Sequence, residues 1–195
     1  MAKPWWKRAL DSGHYARRGH SAEYIWAEGF VPAATTNFTE SNRSPADIDR
    51  VVIHITGGVN ISSAVSTFAT SENANRTSSH YVVGQDGEVY QMVKEKDRAH
   101  HAGSSANRRS IGIEHGASNR SGESPTDIQY WSSAVLVRYL CNKYAIPLDR
   151  THILGHQEIA TTNHNCPGPN WDWAGYMQKI RLCHHFTSLP LPVML

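Results

Sequence analysis

The chain has three cysteines in 195 residues, no apolar run approaching a membrane span, and almost no charge imbalance, at net +2. Each shortage excludes a class. A bilayer helix needs about 20 consecutive apolar residues. Three cysteines do not build a disulfide framework in a chain of this size. Cys141 falls inside a helical apolar pattern and reads as a small core residue, Cys183 carries no motif, and a bridge between them is disfavoured. The body has no basic stripe, which argues against nucleic acid as a partner. There are no internal repeats and no low-complexity segments. The start, Met1-Ala2-Lys3-Pro4-Trp5-Trp6-Lys7-Arg8, lacks the apolar stretch and small-residue cleavage site of a signal peptide. That predicts synthesis in the cytoplasm, or secretion if a signal has been trimmed.

What is present is an ordinary globular composition, 39% hydrophobic and 18% charged, enough for one domain with some extra length. Charge is uneven along it. Residues 1–20 carry net +4 from Lys3, Lys7, Arg8, Arg17 and Arg18 against Asp11, which leaves −2 for the rest. With Trp5, Trp6 and Tyr15, residues 1–30 read as a basic aromatic arm. Such an arm suits an anionic membrane or wall surface, or packs its tryptophans on the body. Residues 31–195 read as the main domain, expected as a monomer.

Residues 32–47 are turn-rich and polar. Val51–Thr56 is a β-branched run suited to a buried strand, closed by Gly57-Gly58. Residues 60–70 show helical spacing. His80–Val83 and Glu88–Val93 flank Gln85-Asp86-Gly87, a hairpin signal, and Ser110–His115 is a further strand. Ser124, Pro125 and Asp127 mark a helix start, with Ile128, Trp131, Val135, Leu136, Tyr139 and Leu140 as its stripe and an end near Tyr144. His152–Gly155 is a short strand and Trp171–Leu182 a last helix. Strands alternating with helices, plus one hairpin, predict an α/β fold with a mixed central sheet flanked by helices.

Chemistry concentrates in three places. His54 sits within Val51-Val52-Ile53-His54-Ile55. His156 and Cys166 follow about a hundred residues later, joined by a loop that ends in Cys166-Pro167-Gly168-Pro169. Two imidazoles and one thiolate can hold zinc with a fourth position left for water, the pattern of a catalytic rather than a structural site. Glu114, in Ser110-Ile111-Gly112-Ile113-Glu114, is a carboxylate in an apolar strand. It is either an edge residue facing water or a general base whose proton affinity is raised by burial. His164, two residues before Cys166, is either an oxyanion donor or a fourth ligand. His80, His100 and His101 are cleft-lining candidates for a polar substrate, whereas His14, His20, His184 and His185 are terminal.

Together these residues resemble the type 2 N-acetylmuramoyl-L-alanine amidases, the zinc amidases that include peptidoglycan recognition proteins and phage endolysins. The resemblance rests on Val52-Ile53-His54-Ile55-Thr56, Ser79-His80-Tyr81-Val82-Val83 with Gln85-Asp86-Gly87, and His101-Ala102-Gly103. It continues through Asn107 to Ser110–Glu114, then Gly155-His156 and Cys166-Pro167-Gly168-Pro169, with Trp171-Asp172-Trp173 like the start of the family's last helix. These pieces cover about residues 50–182 in the family's order. The resemblance implies one Zn2+ held by His54, His156 and Cys166, with Glu114 and His164 catalytic. Thr56, His80, His101 and Asn107 would contact substrate. The family cuts the amide between the lactyl group of N-acetylmuramic acid and L-alanine, so the expected partner is peptidoglycan or a muropeptide. The expected role is a phage or prophage endolysin or another bacteriolytic wall hydrolase. His164 stands where the family often has Lys, which keeps a donor but one whose charge responds to near-neutral pH. Ser79 stands where some phage members have Tyr. Two other classes compete: a peptidoglycan-binding module without activity, and a cysteine hydrolase with Cys166 as nucleophile.

Overall fold

The structure, a computed structural model, describes residues 22–159 and 164–183. The arm over residues 1–20 lies outside the described residues. The elements are β1 (Gly29–Phe30), β2 (Phe38–Thr39), β3 (Arg50–Ile55), α1 (Ser62–Ala69), β4 (Tyr81–Val83), β5 (Val89–Gln91), β6 (Arg98–Ala99), α2 (Ser104–Asn107), β7 (Ser110–His115), α3 (Asp127–Tyr144), β8 (Ile153–Gly155) and α4 (Trp173–Leu182). Six strands form one mixed sheet in the order β1-β5-β4-β7-β3-β8, and β2 pairs with β6 in a small ribbon. β4, β7, β3 and β8 are parallel neighbours, and β4–β5 is the antiparallel hairpin that the Gln85-Asp86-Gly87 turn predicts. The two-residue strands β1, β2 and β6 are too short to leave a periodic signal.

β3 and β7 are nearly continuous in apolar residues because both of their faces are covered. Val51, Ile53, Ile111, Ile113 and Ile153 face the main core with Leu136, Val137, Leu140, Tyr176 and Ile180. Val52, on the other face, packs with Ala102, Ala106 and Ile159. Alternation along the strand therefore sends His54 away from the main core, to the face covered only by short elements.

Three expectations are corrected. Thr126, not Ser124, caps α3, its side chain accepting from the Gln129 amide. The buried face of α3 is also rotated from the expected stripe, because it carries polar anchors that apolar periodicity cannot reveal. Gln129 Nε2 donates to Val83 O at 2.9 Å, Ser132 bonds Gly87 O, and Ser133 Oγ meets His115 Nε2 at 2.7 Å. The helix ends as expected at Tyr144, where Ala145 turns left-handed at φ 54°. Residues 22–30, placed with the arm in the sequence reading, instead pack on the body. Tyr24 and Ala27 are buried, and β1 pairs with β5. Cys141 and Cys183 are buried free thiols.

Candidate metal centre and cleft

Three segments meet at the ends of the central parallel strands. The β3–β7 register places His54 opposite Glu114, so the two side chains rise from the same face of neighbouring strands about 4.8 Å apart. β7 lies between β4 and β3, which removes the reading of Glu114 as an edge-strand residue. On the far side of β3, β8 ends at Gly155, and His156 opens a 3-10 turn over His156–Glu158. A Cβ on Gly155 would lie 2.7 Å from Pro167 Cδ and 3.1 Å from the Trp173 ring. The missing side chain is what lets the Cys166-Pro167 segment close over the strand end. Two bonds fix it there: Gln157 N donates to Cys166 O at 2.7 Å, and Gly168 N to Gln157 Oε1 at 3.2 Å.

The result is a cluster of donors. Cys166 Sγ lies 3.9 Å from His54 Nδ1 and accepts a hydrogen bond from Ile55 N at 3.3 Å. Ligand atoms of His54, His156 and Cys166 all lie within 4.8 Å of one another. In a tetrahedral zinc site, bonds of about 2.0–2.3 Å put neighbouring donors roughly 3.3–3.6 Å apart, so a small contraction would seat the ion. Burial holds His54 well below its ordinary 6.5, and burial followed by His164 brings His156 down to about 4. Both rings therefore offer lone pairs. Burial, reinforced by Glu114, pushes the Cys166 thiol up to about 12, so the thiolate needs a cation beside it. Two neutral imidazoles and a thiol that ionises only against a cation are a donor set suited to zinc.

Glu114 is perturbed in the direction a proton acceptor requires. Burial alone raises it from 4.5 to about 8, and its Oε2 has no hydrogen-bond partner among the described residues. It stands where two arms of the cleft join. One arm, about 630 Å³, is lined by His54, His156, Cys166, His164, His101 and Asn107 among others. The other, about 360 Å³, runs along α1 past Thr56, Asn60, Ser63 and Thr67.

The expected site residues separate as follows. His54, His156, Cys166, Glu114 and His164 gather at the first arm, with the exposed His164 ring stacked on His156 at 4.5 Å and 19°. Thr56 lines the second arm, although its hydroxyl is engaged by Gly58 O at 2.7 Å. Asn107 lines the first arm, and its Oδ1 accepts from the amides of His101 and Ala102. His80 does not reach the cleft. It is fully buried, its Nδ1 accepts from Gly112 N at 2.9 Å, and its Nε2 meets Asp97 O at 3.1 Å. That removes it as a substrate contact. Asn75, Thr77 and Ser78 also line the first arm. They sit in the loop between α1 and β4, which carries no motif.

With this geometry in place, comparison with known proteins decides the family. Residues 44–169 match the profile of the family described as N-acetylmuramoyl-L-alanine amidase. The chain belongs to that family. The Haemophilus influenzae 1,6-anhydro-N-acetylmuramyl-L-alanine amidase AmpD is 33% identical over 114 residues, 54% of this chain and 60% of that protein. The Escherichia coli AmpD is 36% identical over 108 residues, 52% of this chain and 57% of that protein. The chain thus spans somewhat under two thirds of the length of these relatives. Among solved structures, the Clostridium intestinale N-acetylmuramoyl-L-alanine amidase LysC superposes with a TM-score of 0.52 at 28% identity, covering 82% of this chain and 95% of that one. An AmpD structure gives 0.59 at 27% identity, covering 79% and 92%. The family's mixed α/β fold is the one expected from the strand and helix pattern.

Proposed function

We propose that this chain is a zinc-dependent N-acetylmuramoyl-L-alanine amidase that hydrolyses the lactyl–L-alanine amide of peptidoglycan or a muropeptide. One observation carries the reading: His54, His156 and Cys166 present three donor atoms within 4.8 Å beside a carboxylate raised to about 8. AmiD from E. coli, 26% identical with a TM-score of 0.59, has been solved with anhydro-N-acetylmuramic acid-L-Ala-D-gamma-Glu-L-Lys, which supports a muropeptide as the ligand class here.

His54, His156 and Cys166 would hold the ion. Bound zinc supplies a Lewis acid that polarises the scissile carbonyl and acidifies the attacking water. Glu114 receives the proton of that water and returns it to the departing amine of alanine, a task suited to a carboxylate that titrates near neutrality. His164, at the mouth beside His156, donates to the oxyanion of the tetrahedral intermediate. Among the described residues the second arm has no charged side chain apart from Glu114 at its inner end, so it offers hydroxyls and an amide to a polar chain. Cys166 is a poor nucleophile in this setting, because a buried thiol at about 12 carries little thiolate.

The biological role proposed is that of an endolysin or related bacteriolytic wall hydrolase acting as a monomer, with residues 1–20 engaging an anionic surface. The deciding experiment is mass spectrometry of products from defined muropeptides, with and without chelator. The expected result is free N-acetylmuramic acid and a peptide beginning with L-alanine, lost on chelation and restored by zinc. Uncut fragments that nevertheless bind would establish a binding module, and cleavage indifferent to chelator would establish thiol chemistry.

A further inference from the structure

Behind His54, on the side away from Cys166, runs a chain of hydrogen bonds with only one consistent direction. Ser110 Oγ donates its single proton to Ala106 O at 2.7 Å. A carbonyl oxygen has no proton to give back, so the contact of 3.1 Å between Ser110 Oγ and His101 Nε2 must be a donation from the ring. His101 therefore carries its proton on Nε2 and presents a bare Nδ1. That nitrogen lies 3.0 Å from His54 Nε2. A contact this short between two ring nitrogens holds one proton, because two would repel and none would bind. His54 supplies it. The remaining nitrogen of His54, Nδ1, is then left as a lone pair, and it is the atom 3.9 Å from Cys166 Sγ.

We propose that Ser110 and His101 are positioning residues that fix the tautomer of His54 and thereby set the affinity of the His54–His156–Cys166 centre for zinc. The inference rests on the ligand set proposed above. It assigns His101 a role that acts through His54, in place of the substrate contact expected from sequence.

The surroundings of His101 are built for this. The ring packs close against β7 at Gly112, where a Cβ would lie 2.5 Å from His101 Cγ and 2.7 Å from its Nδ1. Asn107 Oδ1 accepts from both the His101 and Ala102 amides, at 3.2 and 2.8 Å, which holds the loop at the height the ring needs. Ser110 is fully buried, and its contact with His101 Nε2 lies between buried side chains. Ser110→Ala removes the acceptor at the end of the relay. The His101 proton is then free to move to Nδ1, which turns His54 round and places a proton on the nitrogen that faces the ion. Partners that orient a ligand imidazole are typically worth 10–100-fold in metal affinity.

The test has two readouts. Nitrogen-15 NMR of the histidine rings in chelator-treated wild-type protein should show His54 and His101 both protonated on Nε2. Competition against a fluorescent zinc chelator should show Ser110→Ala binding zinc about 10–100-fold more weakly, with Ser110→Thr, which keeps a hydroxyl acceptor, close to wild type. A wild-type His54 protonated on Nδ1 would overturn the proposal, even if Ser110→Ala failed to fold. So would a folded Ser110→Ala variant with undiminished affinity and an unchanged His54 tautomer. If wild-type protein took up no zinc at all, the ligand set would fail, while the ring spectra would still decide whether the relay runs as described.

Discussion

Replacing Glu114 with Gln should stabilise the protein while abolishing its activity, and the stabilisation should appear only above a particular pH. In the unfolded chain a glutamate ionises near 4.5, whereas burial raises Glu114 to about 8 in the folded one. Between those values the folded state holds a proton that the unfolded state has lost, so stability falls as pH rises from 4.5 to 8. At about 1.4 kcal/mol per tenfold change in proton affinity, the span caps the penalty at roughly 5 kcal/mol. Glu114 is only partly shielded from the cleft, and water entering there reduces the figure to about 2–3 kcal/mol. Gln resembles the protonated acid in size and charge and is indifferent to pH. Below pH 4 the two proteins should therefore unfold alike. At pH 8, in chelator, Glu114→Gln should melt about 5–10 °C higher and cleave no muropeptide. A melting difference that does not grow between pH 4 and 8 would refute the claim that Glu114 is a destabilised carboxylate held for chemistry.

Further outcomes follow from the same geometry. Cys166→Ala should lose zinc and activity together, measured by metal content after dialysis and by product mass; an active variant with full zinc would remove Cys166 from the ligands. His164→Ala should lower kcat by about a hundredfold or more, since an oxyanion donor is typically worth about 2.7–4 kcal/mol, while zinc content stays the same. Gly112→Ala should lower stability by about 1–3 kcal/mol in a denaturant titration, because its methyl group would meet the His101 ring at 2.5 Å. Deleting residues 1–20 should weaken lysis of whole cells more than hydrolysis of soluble muropeptide, and equal losses would count against an anchoring arm.

The central strands were legible because burial on both faces forces apolar runs, as in Val51–Ile55 and Ser110–Glu114, and because the polar residues interrupting them stand out. That is how His54 and Glu114 declare themselves. His156 and Cys166 were readable from the Gly155 and Pro167-Gly168-Pro169 punctuation around them, which marks close backbone approach. His80 misled, because a histidine whose two ring nitrogens bond the backbone looks identical in sequence to one facing a cleft. The register of α3 was hidden for a related reason: Gln129, Ser132 and Ser133 are buried by hydrogen bonds to the Val83 and Gly87 carbonyls and to His115, and an apolar stripe takes no account of them. Ser110 and Asn107 gave no local signal of a positioning role, since their partners are settled by how α2 and β7 meet.

X-ray absorption at the zinc edge of protein reconstituted with one equivalent of Zn2+ reads the identity of the three ligands at first hand. One sulfur at about 2.3 Å with two imidazole nitrogens at about 2.0–2.1 Å is the expected coordination. A wild-type spectrum with no sulfur shell, or with a single imidazole, would contradict it.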